Sequence, residues 1–307
     1  MNWKYLGRKL ISLIIVMFFS SIVVFAVIHL IPGDTADVMT AGSVLSEEQM
    51  NKLLSDMGLD KPLFEQYLIW LSNVLHGNLG TSLYSNEAVT VLIIPRFIAT
   101  LKLAFLSMLL AVGIGVPCGI LAAVKHNSVF DVIIMLLAIV GISMPIFWLG
   151  LLLVMQFSIN LAWFPASGAD QPISYVLPAV TISLNIMANI ARMTRSSMLE
   201  VLKQDYVRTA EAKGMKSSTI ILKHGLKNAL IPIITVIGTQ FGYLMGGAVL
   251  TETVFVFPGM GKFLIDSINR RDYPSVQACM LLITLVFALI NMIVDVAYHY
   301  ADPRVKA

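Results

Sequence analysis

The residue types that usually carry chemistry are few in this chain, and they are scattered. His29, His76, His126, His224 and His299 fall on different segments with no metal-ligand spacing. Cys118 and Cys279 each lie inside an apolar run, so they read as packing residues and not as a disulfide or metal pair. No nucleophile–base arrangement stands out. Gly259-x-Gly261-Lys262 has the outline of a phosphate loop, but Val256 stands where the first glycine is required and Phe263 where Ser or Thr is required. No nucleotide site follows from it. The strongest chemical signal is electrostatic. Lys203, Arg208, Lys213, Lys216, Lys223 and Lys227 crowd one polar interruption of the back half, opposed only by Asp205 and Glu211.

The elements that must position those charges are short helices. Leu202, Tyr206 and Ala210 recur at i, i+4 and i+8 and predict an apolar stripe on the first. Gly214 stops it as a C′ residue, with Lys213 in the last turn where the helix dipole favours a cation. A second short helix is expected from about Ser218 to Asn228, with Pro232 near the start of the next apolar run. A short helix with small residues, a glycine stop and basic surroundings suits docking in a groove of another protein.

The setting is a membrane. Of the 307 residues 57% are hydrophobic and 13% charged, which excludes an ordinary soluble domain. Six stretches lack Asp, Glu, Lys and Arg for about the 20 residues a bilayer requires. They are Leu10 to Ile31, Leu103 to Val124, Val132 to about Phe157, Val176 to Ala191, Asn228 to about Leu250, and Pro274 to Val294. Lys4, Arg8, Lys9, Lys125, the 192–227 segment, Arg304 and Lys306 all lie on one side of these spans. The positive-inside rule makes that side the cytoplasm, with both termini there. The first span is too long for a signal-peptide core and has no small-x-small site after it, so it reads as retained.

Between Pro32 and Phe97 lies the largest extracytoplasmic segment. Ser46-Glu47-Glu48-Gln49 is a capping box opening a short helix over Met50, Leu53, Leu54 and Met57. A second helix starts at Asp60-Lys61-Pro62, with Phe64, Tyr67, Leu68 and Leu71 as its apolar face. Within the spans, Gly238, Gly242 and Gly246 form a small-residue ladder for helix packing, as do Gly115 and Gly119. Pro117 and Pro145 are expected to kink the second and third spans. Lys102 and Asp295 are placed at span ends. Gln156, Asn185, Asn189, Gln240 and Asn291 either line a pathway or pin neighbouring helices.

Several motifs carry a specific resemblance. Tyr206, Val207, Arg208, Thr209, Ala210, Ala212, Lys213 and Gly214, followed by His224, Leu226, Asn228, Ala229 and Pro232, resemble the EAA loop of ABC importer permeases of the peptide and nickel family. Arg208 stands where the general pattern has glutamate, as is common in the peptide branch. Leu59-Asp60-Lys61-Pro62-Leu63, Gly77-Asn78-Leu79-Gly80, Phe257-Pro258-Gly259-Met260-Gly261, Arg271-Asp272-Tyr273-Pro274 and Asp302-Pro303-Arg304 match the same family, so the likeness covers essentially the whole chain.

The resemblance implies an all-α polytopic membrane protein with six transmembrane helices and the type I ABC importer permease fold. Its expected parts are a tip and first span (1–31), an extracytoplasmic helical segment (32–97), the transmembrane domain (98–298) with its coupling loop at 200–228, and a cytoplasmic tail (299–307). The implied ATPase contact comprises Tyr206, Arg208, Thr209, Ala210, Glu211, Ala212, Lys213 and Gly214. The implied partners are a second homologous permease in a heterodimer, two ATPase subunits that bind ATP and magnesium, an extracytoplasmic substrate-binding protein and the lipid bilayer, with no nucleic acid. The chain itself is expected to hold no cofactor or metal and to be no enzyme, and to reside in the bacterial plasma (inner) membrane. Peptides of the di-, oligopeptide or glutathione class are the expected cargo, with nickel or a metal chelate as the alternative. A self-sufficient secondary transporter or channel, the more distant alternative, requires inverted repeats and buried acidic residues.

Overall fold

The computed structural model describes residues 3–30 and 61–301. The capping box at Ser46 and the terminal Asp302-Pro303-Arg304 lie outside these described residues, as does the packing expected of the Ser46 helix. In chain order the helices are α1 (Trp3–Leu30), α2 (Leu63–Leu75), α3 (Val89–Val124), α4 (Val129–Ser143), α5 (Ile146–Leu153), α6 (Val176–Leu202), α7 (Asp205–Ala212), α8 (Ser217–Thr219), α9 (Lys227–Gly247), α10 (Val249–Val254), α11 (Met260–Asn269) and α12 (Tyr273–Ala301). Among the described residues two stretches wind as π-helix, Val154–Asn160 after α5 and Ile220–Leu226 between α8 and α9. Among the described residues the only β contact is an isolated antiparallel bridge between Thr81 and Ala88.

Among the described residues five helices are long and apolar enough to cross a membrane, or six when the bent pair formed by α4 and α5 with its π turn is counted as one span. Three boundaries differ from those expected. α3 begins at Val89 and not near Leu103, because Arg96 is accommodated inside it: the guanidinium bonds the Leu92 carbonyl and lies over the Phe263 ring. Lys102 lies within this longer helix. α6 continues past Ala191 to Leu202, carrying Arg192 and Arg195 within it. The segment expected as a separate helix from Ser218 to Asn228 joins the following span through the π turn, and α9 runs on through Pro232.

The chain forms two compact units. In the first (Met1–Ile98 and Phe263–Ala288), α2 packs on α1 through its polar-tipped aromatics. Tyr67 shares a 2.8 Å hydrogen bond with Ser21, and Phe25 lies 5.4 Å from Tyr67 and 5.7 Å from Trp70. Phe64 and Leu68, two other members of its apolar face, are exposed. The Ser21 hydroxyl and the Phe25 ring offer Tyr67 both a polar partner and an apolar bed. In the same unit Asp272 stands immediately before α12. Its buried carboxylate accepts from the Ser82 hydroxyl (2.5 Å), the Leu83 N–H (3.0 Å) and the Ser275 hydroxyl (2.7 Å). Gly80, at φ +84°, lies against Pro274, where a Cβ would come within 3.3 Å of the ring. Gly77-Asn78-Leu79-Gly80 and Arg271-Asp272-Tyr273-Pro274 are thus one packed feature.

The second unit (Ala99–Lys262 and Leu289–Ala307) is organised on α6, which packs against α4, α5 and α9. α3 also meets it closely. A Cβ on Gly115 would lie 2.9 Å from the Met187 carbonyl, and one on Gly119 would lie 2.5 Å from both the Ala191 carbonyl and Thr194. On α9, Gly238 is buried against Val294 of α12, and Gly242 is also buried.

Of the two expected kinks, only the one at Pro145 breaks a helix. The α4–α5 pair turns by 101° there, with Met144 extended (φ −73°, ψ 127°) as the residue before a proline prefers. The Asn185 amide donates to the Gly141 and Ile142 carbonyls (3.4 and 3.5 Å), supplying partners for groups that the break releases. α3 passes through Pro117 without ending.

Candidate functional site

The basic segment folds as a short helix with an exposed outer face and a defined end. α7 is closed by a Schellman turn: the Gly214 N–H donates to the Glu211 carbonyl (2.9 Å) and the Met215 N–H to the Ala210 carbonyl (3.3 Å). Gly214 has φ +72°, the left-handed geometry that turn needs, and nothing lies within 4 Å of where its Cβ would be. The expected stripe of Leu202, Tyr206 and Ala210 is corrected at its centre. Val207 and Ala210 are buried against Ile220, with Leu202 and Met215 packed beside them, while Tyr206 is 42% exposed. An i, i+3 pair suffices because α7 is held by one neighbouring turn and not by a broad face.

The outward surface of α7 and its stop consists of Tyr206, Arg208, Thr209, Glu211, Ala212, Lys213 and Gly214, whereas Ala210 faces inward. The Tyr206 hydroxyl accepts from the Asn228 amide at 3.1 Å. Thr209 donates to the Asp205 carbonyl at 2.9 Å, and Arg208 reaches within 3.9 Å of the Asp205 carboxylate. That last pair is fully in solvent and contributes little.

An ion pair that no sequence spacing announces ties α4 to α6. Arg195 grips Asp131 bidentately, Nε to Oδ1 at 2.5 Å and NH2 to Oδ2 at 2.7 Å. The Asn127 N–H donates to the same carboxylate (3.0 Å), and His126 Nδ1 lies 3.2 Å from it and 3.1 Å from Arg195. Asp131 itself is buried.

The phosphate-loop outline at Gly259-x-Gly261-Lys262 has an internal anion. The Glu252 carboxyl group, fully buried, lies where a Cβ on Gly259 would be, 2.2 Å away, and accepts the Lys262 N–H at 2.8 Å. The Thr100 hydroxyl donates to it at 2.6 Å and accepts the Met260 N–H at 2.8 Å. Backbone donors at the start of α11 thus converge on an acidic side chain of the chain itself. Burial pushes the Glu252 carboxyl above the ordinary carboxylate range, against the lowering effect of these donors. Phe255 and Phe257, buried beside it, complete the feature; Phe257 meets Tyr175 edge-to-face at 5.0 Å.

Four of the five polar residues singled out in the spans separate into two groups. Asn185 serves the α4–α5 break, and Gln156 accepts from Asn160 at 3.3 Å. Asn189 and Gln240, by contrast, line a cavity of about 510 Å³ together with Arg192, Met193, Ser196 and Val236. Among the described residues no group of three or more His, Cys, Asp or Glu is placed to hold a metal ion.

Long apolar helices around α6, a bent apolar helix pair and a short capped helix with an exposed polar face define a multi-pass helical membrane protein. The family model described as binding-protein-dependent transport system inner membrane component matches residues 115–307, and the model of the N-terminal part of these membrane components matches residues 2–104. The chain belongs to this family of binding-protein-dependent transport system inner membrane components.

It is 43% identical to the di/tripeptide transport system permease protein of Pseudomonas aeruginosa (strain UCBPP-PA14), over 99% of this chain and 98% of that one. It is 44% identical to the glutathione transport system permease protein of Pectobacterium atrosepticum, over 99% of both. Among solved structures, an inward-facing MetNI methionine ABC transporter superposes with a TM-score of 0.57 at 18% identity, covering 69% of this chain and 97% of that chain. That likeness speaks for the fold alone.

Proposed function

We propose that this chain is the permease subunit of an ATP-driven ABC importer and forms half of a translocation pathway for peptides of the di-, oligopeptide or glutathione class. The relatives named for di/tripeptide and glutathione transport match over 99% of this chain, which supports the cargo class. The role in coupling rests on α7. It is anchored through Val207 and Ala210, closed at Gly214, and presents Tyr206, Arg208, Thr209, Glu211, Ala212 and Lys213 outward. An anchored helix with a free polar face transmits a push; a loose loop does not. In this reading an ATPase subunit receives α7, and ATP and magnesium are bound there. A second homologous permease completes the pathway, and a binding protein delivers cargo on the opposite side. The basic bias of the α7 side orients it to the cytoplasm together with both termini.

The experiment is reconstitution. Proteoliposomes holding this chain, its partner permease, both ATPases and the binding protein accumulate labelled dipeptide only with ATP. Liposomes with this chain alone accumulate none. Peptide uptake by the chain alone, driven by an ion gradient, would overturn the reading in favour of a secondary transporter.

A further inference from the structure

We propose that the groove between α6 and α9 is a transit site for the carboxylate of the transported peptide, and that Arg192 is its contact residue; the proposal rests on the peptide-import reading above. Asn185, Asn189, Arg192 and Ser196 follow one another at i, i+4, i+7 and i+11, so α6 carries a polar stripe through a membrane-spanning segment. The lower three members of that stripe open into the 510 Å³ cavity, which Gln240 and Val236 of α9 close from the other side.

The two arginines of α6 have different company. Arg195 is engaged by Asp131. Arg192, one turn earlier and exposed to the groove, has no ion pair among the described residues, and no Asp or Glu lines the cavity with it. A charged side chain within a span is expensive unless it faces water or a counter-charge. Arg192 is exposed at the end of the fourth uncharged run, so water can satisfy it while the groove is free, and a carboxylate entering the groove would bring the counter-charge that the lining lacks.

The rest of the lining fits a peptide. A guanidinium presents five donors in a fork that matches a carboxylate. The Asn189 amide nitrogen is already donating to the Asn185 carbonyl at 3.1 Å, which leaves its oxygen to accept a peptide N–H. Gln240 offers both a donor and an acceptor. Met193 and Val236 give apolar contact without forming a deep pocket, so side-chain identity is read weakly, and Met adapts to varied shapes. The volume lies within the range of small-ligand sites. A bare divalent cation finds no carboxylate, imidazole or thiolate here and meets a positive charge.

The test uses the whole complex in nanodiscs of zwitterionic lipid, free of nucleotide. In a chain with Cys118→Ala and Cys279→Ala, Ser196→Cys reports on the groove through its rate of maleimide alkylation. Tri-alanine is expected to slow that rate, and its C-terminal amide to do so at least about tenfold more weakly, the usual difference when a charge-assisted pair is lost. Arg192→Gln should remove the protection and Arg192→Lys restore part of it. Equal protection by acid and amide, or protection unchanged in Arg192→Gln, overturns the proposal. So does protection by phosphatidylglycerol added to the nanodiscs with none by peptide, which would make the groove a lipid site. ATP-driven uptake by the same complexes separates the two levels. If the wild type takes up no peptide, the peptide-import reading itself fails. If it does and Arg192→Gln matches it at every tri-alanine concentration, only the groove proposal fails.

Discussion

Replacing Arg195 with glutamine tests whether the α4–α6 ion pair holds the second unit together. The substitution removes both bonds to Asp131 and leaves that carboxylate, whose side chain is 4% exposed, with the Asn127 N–H and His126 as its remaining partners. Breaking a buried pair from one side costs about 3–5 kcal/mol. The Arg195 side chain is 24% exposed, so water screens part of the attraction and the expected loss lies at the low end, about 3 kcal/mol. Asp131→Asn costs less, about 1–2 kcal/mol, because the arginine it frees can turn toward water. The double variant buries no uncompensated charge, and the two losses should therefore fall short of adding by at least about 1 kcal/mol. Reversible unfolding of the purified chain in mixed micelles, titrated with denaturing detergent, gives all four stabilities. Strict additivity, or a loss under about 0.5 kcal/mol for Arg195→Gln, refutes the reasoning and makes the pair ornamental.

Other perturbations follow from the same geometry. Gly119→Leu should cost about 1–3 kcal/mol and reduce assembly, because its Cβ alone would lie 2.5 Å from the Ala191 carbonyl, whereas Gly113→Leu, with nothing within 4 Å, should assemble like wild type in co-purification. Gly214→Val should leave insertion intact but uncouple ATP hydrolysis from uptake, since the strain is purely that of a branched residue at φ +72°; Gly214→Asn, which tolerates that geometry, should restore coupling, and equal uptake by the valine variant would refute the turn's role. The raised Glu252 carboxyl makes its ionisation oppose the folded turn. Its contribution is full below the ordinary value of 4.5 and is lost as pH rises through the folded value, so tryptic cleavage at Lys262 should accelerate with pH in wild type more than in Glu252→Gln. Cysteine at Ser217 should react with an impermeant thiol reagent only after spheroplasts are opened, and cysteine at Ser85 in intact ones, in a chain lacking the native thiols; the reverse pattern would invert the orientation.

Much of the architecture is legible in the residues. Apolar runs of bilayer length locate the spans, and a glycine after a basic turn marks the end of α7. Boundaries are less legible because a search for uncharged runs stops at Lys102 and Arg192, whereas α3 starts earlier, before Arg96, and α6 ends later, beyond Arg195. Arg96 lies over Phe263 and Arg195 pairs with Asp131, both far along the chain. Asp131 and Arg195 have no periodic relation, so only the fold reveals them as a pair. The Gly259-x-Gly261-Lys262 pattern signals a backbone nest but not its occupant; the available hint was a lone acidic residue, Glu252, upstream of the two glycines. Asn189 and Gln240 stand out singly as polar residues of spans, and the period that joins Asn189 to Arg192 and Ser196 is present in the sequence. Which of these polar groups share a cavity and which mend a broken helix depends on packing, as Asn185 shows.

The π winding of Ile220–Leu226 has a consequence for angular phase. Such a turn holds one residue more than an α turn, and each residue of an α-helix advances the azimuth by about 100°. α9 delivers Val236 and Gln240 to one side and Gly238, nearly diametrically opposite, to Val294. Were the surplus residue absorbed into regular winding, every side chain beyond Leu226 would be re-aimed by roughly a quarter of a circle or more relative to α7. The wide turn therefore works as an indexing collar between α7 and the span that follows. Chain length between 220 and 226 is fixed by rotation, and a single deletion there would be felt far along α9 as a misdirected face and not as a shorter connection.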